Sequence, residues 1–395
     1  MVLDAAANDV MIASGERQSW MTVFRPQSEQ TRSIVLAILS HLVSVAAKRK
    51  ATELQHILSR PIEHGEMKLN EIIRRNEATV FGRRHGFSDI RNPDEYSSRV
   101  PLSDAQSMVE YLNAVYENPT GGILTSEPVV WYLLSSGTTG HPKRLPITRQ
   151  GMKDTKTGSM LGWMAFMNAE KGNEKIVDGT MVTFGAPAVM SHINGVPVGY
   201  ASGVYGKHQN SLFKRLIRPG PEIFNMTDTD AKMWEYAKLV ASSRTTAIQG
   251  IASQCLALIR RMLKMYGPAL LQHFAGTRHE DRIRDAMNDD GTLDMAILCP
   301  ELRMMGSSGI DIEPYRSWLK SVLPDMCIWE FYGISEAGIV GVQTEYEPGI
   351  KLLPHLNYLE FIPERDMDSP DPRVVPLSDV KKGDRYEVVV TSTNG

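Results

Sequence analysis

The stretch that most restricts the fold of this chain is Leu134-Ser135-Ser136-Gly137-Thr138-Thr139-Gly140-His141-Pro142-Lys143-Arg144, which follows the unbroken apolar run Val129-Val130-Trp131-Tyr132-Leu133-Leu134. The run predicts a buried strand that delivers the loop. Gly137 and Gly140 permit tight turns that bring peptide N–H groups together, and Ser135, Ser136, Thr138 and Thr139 add hydroxyls beside them. Lys143 supplies a mobile cation. Such a loop can hold an oxyanion, and phosphate is the first ligand to consider. A Ser/Thr/Gly cluster can also be only a solvated connection, but the order of strand, hydroxyl-rich turn and lysine fits a polyphosphate. The spacing is neither that of a P-loop NTPase nor a dinucleotide fingerprint, so the expectation is ATP held by a different fold.

Ser135 to Lys143 resembles the phosphate-loop signature of adenylate-forming enzymes, which join a carboxylate to AMP. Later segments resemble the GH3 family of acyl-acid amido synthetases: Phe184-Gly185-Ala186-Pro187, Tyr332-Gly333-Ile334-Ser335-Glu336, Leu352-Leu353-Pro354 and Glu360-Phe361-Ile362-Pro363. Arg99 to Asp104 and Tyr386 to Thr391 add weaker matches, so the resemblance runs from about position 68 to 395. It implies an α/β fold, a large adenylate-forming N-terminal domain with stacked mixed sheets flanked by helices and a smaller β-rich subdomain. The expected divisions are an N-terminal extension with an apolar helix at 1–66, an ATP- and acyl-binding core at 67–340 and the β-rich part at 341–395, in which Gly349 to Pro354 and Tyr358 to Pro363 read as adjacent strands.

A length of 395 residues allows a large core and several subdomains. The net charge of -3 gives no global case for a nucleic-acid partner. Cys255, Cys299 and Cys327 are far apart, show no zinc spacing and have apolar neighbours, which predicts buried free thiols in a reducing compartment. The first residues lack the basic start and apolar body of a secretory signal, so cytoplasmic residence is the default expectation. Ser33 to Ala47 is largely apolar and helix-like spacing continues to Leu58, but the run is short for a membrane span and contains His41. A core or interface helix is expected there, with dimerisation through it as one use.

Further on, helices are expected over Thr148–Met167, Asp228–Val240 and Ser253–Tyr266, and a solvated helix and turn over Gly276–Gly291. A long turn is expected through Gly195, Pro197, Gly199, Gly203 and Gly206. Phe184, Met190, His192, Val198, Tyr200 and Tyr205 are the candidate acyl-pocket residues, though each serves equally well as packing. His192 is not needed as a base, because a carboxylic acid is already ionised at neutral pH.

Leu302 to Gly309 reads as a strand entering a close turn, and Ile310 to Val322 as a helix with Pro314 in its first turn. The resemblance places Ser307, Ser308 and Gly309 beside adenine, with Tyr332 stacking on the base, Gly333 next to it and Ser335 donating to a phosphate. It gives Glu336 the orientation of Mg²⁺, a hard cation suited to carboxylate and phosphate oxygens. Lys143, Ser335 and Glu336 are thus the candidate catalytic residues, and ATP and Mg²⁺ the expected cofactors. The implied reaction joins a small carboxylic acid to AMP with loss of pyrophosphate. Its acyl group then passes to an amine, usually that of an amino acid, or to the thiol of coenzyme A. Related proteins continue beyond the position of Gly395 into a ribose-gripping aspartate and a mobile domain with a catalytic lysine, so the chain is expected to be an isolated large domain. A noncatalytic nucleotide-binding module is the reading from a different class.

Overall fold

A computed structural model of the chain describes residues 29–104, 106–135, 143–208 and 216–394, with side chains from Ser40 onward. The first described element is the helix Glu29–Leu58. Its Val43, Ala47 and Leu54 are buried in one core with Leu161, Met164 and Phe166 of the helix Arg149–Ala169. Ser40 adds a hydroxyl bond to Asp178 at 2.6 Å. Full burial of an aliphatic side chain contributes about 1.5–3 kcal/mol, so Val43, Ala47 and Leu54 anchor this helix inside the molecule. No helix among the described residues is long and apolar enough to cross a membrane.

In chain order the first strands are β1 (Val129–Leu134), β2 (Arg144–Thr148), β3 (Thr180–Thr183), β4 (Ser191–Ile193), β5 (Val196–Tyr200), β6 (Ile217–Arg218) and β7 (Thr245–Ile251). They continue as β8 (Met304–Ser308), β9 (Cys327–Ile334), β10 (Gly338–Val342), β11 (Lys351–Leu352), β12 (Tyr358–Pro363), β13 (Val375–Pro376) and β14 (Tyr386–Thr391). The large sheet has seven strands in the order β11-β10-β9-β8-β7-β3-β6. Its β6-β3-β7-β8-β9 portion is parallel, while β10 and β11 are added antiparallel. One face of it places Met181, Ala247, Met304 and Trp329 against the Glu29–Leu58 and Arg149–Ala169 helices. The other places Val182, Ile248, Met305 and Ile328 under the helices Thr229–Ser242, Ala252–Lys264 and Glu313–Val322. Burial on both faces explains why these strands read as continuous apolar runs. A four-stranded sheet, β2-β1-β5-β4, and a three-stranded sheet, β13-β12-β14, are the other sheets among the described residues.

Two expectations need correction. The stretch expected as a long turn holds the hairpin β4–β5 and the helix Ala201–Lys207. Asn194 and Gly195, with φ of 46° and 81°, make its turn, and Asn-Gly between two short strands is the sequence signal for that geometry. The segments around Leu352 and Phe361, expected as adjacent strands, lie in different sheets: β11 pairs with β10, and β12 with β13 and β14. Position 66 lies within the helix Pro61–Asn76 and position 340 within β10.

Candidate functional site

β1 and β2 are antiparallel neighbours, with Leu134 opposite Arg144. Just beyond that pair the Ser135 N–H donates to the Lys143 carbonyl at 3.0 Å, and the Lys143 N–H donates to Ser135 Oγ, also at 3.0 Å. These two bonds form a closed neck from which the hydroxyl-rich loop departs. Ser136, Gly137, Thr138, Thr139 and Gly140 lie outside the described residues. The Lys143 side chain is exposed. Ser135 Oγ accepts within the neck, so its own proton is left to donate elsewhere.

From this neck a continuous rim of strand ends can be followed. β5 runs parallel to β1 and sets Tyr200 beside Leu134. The Tyr200 N–H donates to the Pro187 carbonyl at 2.9 Å. The Ala186 N–H donates to Ser202 Oγ at 3.1 Å, and the Trp131 indole N–H to the Ala188 carbonyl at 2.9 Å. The segment after β3 is thereby stitched to the end of β5. At its other end the Phe184 N–H donates to the Gln249 carbonyl of β7 at 2.7 Å. Gly250 lies beside Ser307 of β8, and the Ser308 hydroxyl donates to the Gly250 carbonyl at 3.3 Å. Ser307 in turn lies beside Glu330 of β9, which leads to Tyr332, Gly333, Ser335 and Glu336. The carboxyl ends of β1, β5, β3, β7, β8 and β9 therefore follow one another across two sheets. In open α/β sheets that edge is where ligands bind.

The six candidate acyl residues do not share one place on this rim. Phe184 is 3% exposed and stacks on Tyr236 with ring centroids 4.1 Å apart. Lys232 fixes the following backbone by donating to the carbonyls of Gly185 at 2.7 Å and Phe224 at 3.0 Å; burial lowers its pKa. Val198 is buried in a separate core with Val115, Leu124 and Tyr132. Met190 and His192 are exposed on and beside β4, and His192 pairs with Pro197, well back from the end of β5. Tyr200 stands at the rim, half-buried, and Tyr205 lies one helical turn behind it.

The Tyr205 phenol donates to Thr155 Oγ1 at 3.2 Å, and Thr155 donates on to the Gly151 carbonyl at 3.0 Å. Burial pushes the Tyr205 pKa up to about 12, so the phenol keeps its proton. Thr155 is also the residue that a side chain at Gly338 would overlap. The Tyr205 helix, the Arg149–Ala169 helix and the β9–β10 turn thus converge on one buried hydroxyl. In that turn Ser335 is half-buried and Glu336 exposed. The Glu336 carbonyl accepts from Ser392 Oγ at 3.3 Å and from Asn394 Nδ2 at 3.4 Å. Tyr332 is half-buried and packs against the cluster of Val340, Leu359 and Phe361. An exposed carboxylate on an anchored backbone suits Mg²⁺, which is held through one or two carboxylates together with water and phosphate oxygens.

The three cysteines are unpaired, and burial pushes Cys255 and Cys299 up to about 12, which leaves them as inert packing thiols.

The description "GH3 family N-terminal domain" fits residues 50–288, more than half of the chain, and "GH3 family central domain" fits residues 350–395. The chain belongs to the GH3 family. Among GH3 relatives it is 24% identical to a jasmonoyl–L-amino acid synthetase of Nicotiana attenuata over 84% of its own length and 64% of that protein's. It is 22% identical to a protein described as a probable indole-3-acetic acid-amido synthetase of Oryza sativa subsp. japonica, over 84% of this chain and 61% of that one. The GH3 chain thus spans somewhat under two thirds of these relatives. An acyl acid amido synthetase in complex with 2,4-DB superposes with a TM-score of 0.71 at 19% identity, covering 87% of this chain and 65% of that one. A 2-hydroxyisobutyryl-CoA ligase reaches 0.51 at 15% identity, over 83% and 60%. These superpositions establish the fold. Within the GH3 chain, Ser307–Gly309 and Tyr332–Glu336 fall between the two matched stretches. Asn394 and Thr148 meet across 246 positions of the chain, and no local pattern announces such a contact.

Proposed function

We propose that this chain is the nucleotide- and acid-binding part of an enzyme that activates a carboxylic acid with ATP and passes the acyl group to an amine. The observation that carries the reading is the rim of strand ends that runs from the Ser135–Lys143 neck to the turn at Glu336.

A carboxylate oxygen attacks the α-phosphorus, the bond to the pyrophosphate oxygen breaks, and acyl-AMP and pyrophosphate result. The amine nitrogen then attacks the acyl carbon, giving an amide and releasing AMP. In this reading Ser135, Ser136, Thr138, Thr139 and Lys143, with the amides of Gly137 and Gly140, hold the phosphates. Ser307, Ser308, Gly309, Tyr332 and Gly333 hold adenine, and Ser335 donates to a phosphate oxygen. Glu336 would hold Mg²⁺, which when bound with the nucleotide supplies charge neutralisation at its phosphates. Donors organised before the reaction are the ones that stabilise charge as it develops. The half-buried Tyr200 and Tyr205 flank the acid, and no protein base is required at neutral pH.

An amine acceptor is preferred to coenzyme A because both family matches are to GH3 domains and the GH3 superposition is the closer of the two reported. Unpaired buried thiols support residence in a reducing compartment such as the cytoplasm. Leu42 and Val45, 54% and 56% exposed on the first described helix, support self-association there, which sedimentation at rising concentration would detect. The deciding experiment mixes the chain, and a version extended past Gly395, with ATP, Mg²⁺ and a panel of acids, and seeks acyl-adenylates by mass spectrometry. Amino acids or coenzyme A added afterwards identify the acceptor. A folded, extended protein that neither binds ATP nor forms an adenylate with any acid would overturn the reading.

A further inference from the structure

We infer that Asn394 is a positioning residue for Glu336, an inference that rests on the metal-orienting role proposed above. Asn394 is 5% exposed and faces two elements at once. Its Oδ1 accepts from the Thr148 N–H at 3.1 Å and from the Thr148 hydroxyl at 3.4 Å. Thr148 is itself the cap of the Arg149–Ala169 helix, accepting from the Gly151 N–H at 3.0 Å. The Nδ2 of Asn394 donates in the opposite direction, to the Glu336 carbonyl at 3.4 Å. Ser392 supports the same carbonyl from 3.3 Å and accepts the Asn394 N–H at 3.1 Å.

These contacts fix the orientation of the Asn394 amide. Only the oxygen can satisfy the Thr148 N–H, so the nitrogen must point at Glu336. The Glu336 side chain is exposed and has no protein hydrogen bond of its own among the described residues. Its direction is set by its backbone, and the backbone carbonyl is held by Asn394 and Ser392. A carboxylate that must meet a metal–phosphate group depends on such outer contacts for its placement.

Asn394→Asp separates this role from general packing. The aspartate keeps the size of the side chain and the acceptor for Thr148, but it loses the donor and sets an anion against the Glu336 carbonyl. The first readout is amide hydrogen exchange in the folded chain. The expectation is at least tenfold faster exchange over residues 335–338, with residues 149–153 unchanged. The second is ATP affinity with Mg²⁺ and with EDTA, where Asn394→Asp should weaken binding about five- to tenfold in Mg²⁺ and leave the EDTA value within twofold. Unchanged exchange over 335–338 overturns the inference, as does an equal loss of affinity in both conditions. If the wild-type chain binds ATP identically with and without Mg²⁺, the role proposed for Glu336 fails. The exchange measurement then still decides whether Asn394 holds the turn.

Discussion

Lys68 and Asp154 meet at 3.0 Å with side chains only 3% and 12% exposed, an ion pair that ties the Pro61–Asn76 helix to the Arg149–Ala169 helix. Asp154 also accepts from Gln150 Nε2 at 2.8 Å and Thr393 Oγ1 at 3.1 Å, so its charge is fully engaged. Removing one partner strands the other charge away from water, which costs about 3–5 kcal/mol. Lys68→Ala is therefore expected to lower unfolding stability by about that amount in a urea titration. A loss under about 1 kcal/mol, the range of exposed pairs, would contradict the burial.

Lys143 differs in kind. Its side chain is exposed, and the neck uses only its backbone. Lys143→Ala should leave the melting temperature unchanged and weaken ATP binding by about tenfold or more, the loss of one charge-assisted contact. Equal affinity in the two proteins, measured by calorimetry, would remove Lys143 from the site.

Gly338 has φ of +75°, and a side chain there would overlap the Thr155 hydroxyl. Gly338→Ala should cost about 2 kcal/mol from backbone strain alone and weaken Mg²⁺-dependent ATP binding by displacing Ser335 and Glu336. Adding Thr155→Ala should recover only the steric share. Full recovery of stability in the double variant would show that the left-handed backbone carries no cost.

The pH response should show His355. Its Nδ1 is buried without a partner among the described residues, and burial, followed by the charges of His64 and Lys68, lowers its pKa to about 4. The unfolded value is about 6.5, so the unfolded chain binds the proton first. The contribution is complete above about pH 6.5 and lost as pH falls toward 4, by at most about 3 kcal/mol. Stability measured at pH 7, 5.5 and 4.5 should fall less steeply for His355→Asn than for the wild type. Parallel curves would refute the assignment.

Much of the large sheet was legible because its strands are buried on both faces. Leu302–Gly309 became β8 at Met304–Ser308, and the run from Cys327 to Tyr332 lies within β9. The expected helix Thr148–Met167 became Arg149–Ala169 despite its glycines, which admit neighbours that a side chain would exclude: Asn394 at Gly151 and the Phe331 ring at Gly162. Residue type and the family resemblance singled out Ser135, Lys143 and Glu336 as candidates before any fold was known. The surroundings of the acyl-pocket candidates were not legible. Whether Phe184 faces a ligand or Tyr236 depends on a helix that begins more than forty positions later, at Thr229. The β4–β5 hairpin was missed because its glycines outweighed the Asn194-Gly195 signal.

The stitching of Ala186, Pro187 and Ala188 to Ser202, Tyr200 and Trp131 carries a mechanical consequence. A force applied to the smaller sheet reaches the larger one through a few neighbouring residues instead of being lost in a slack connection. Any displacement of one sheet against the other must then carry this joint along or break it, so the two sheets move as a single body.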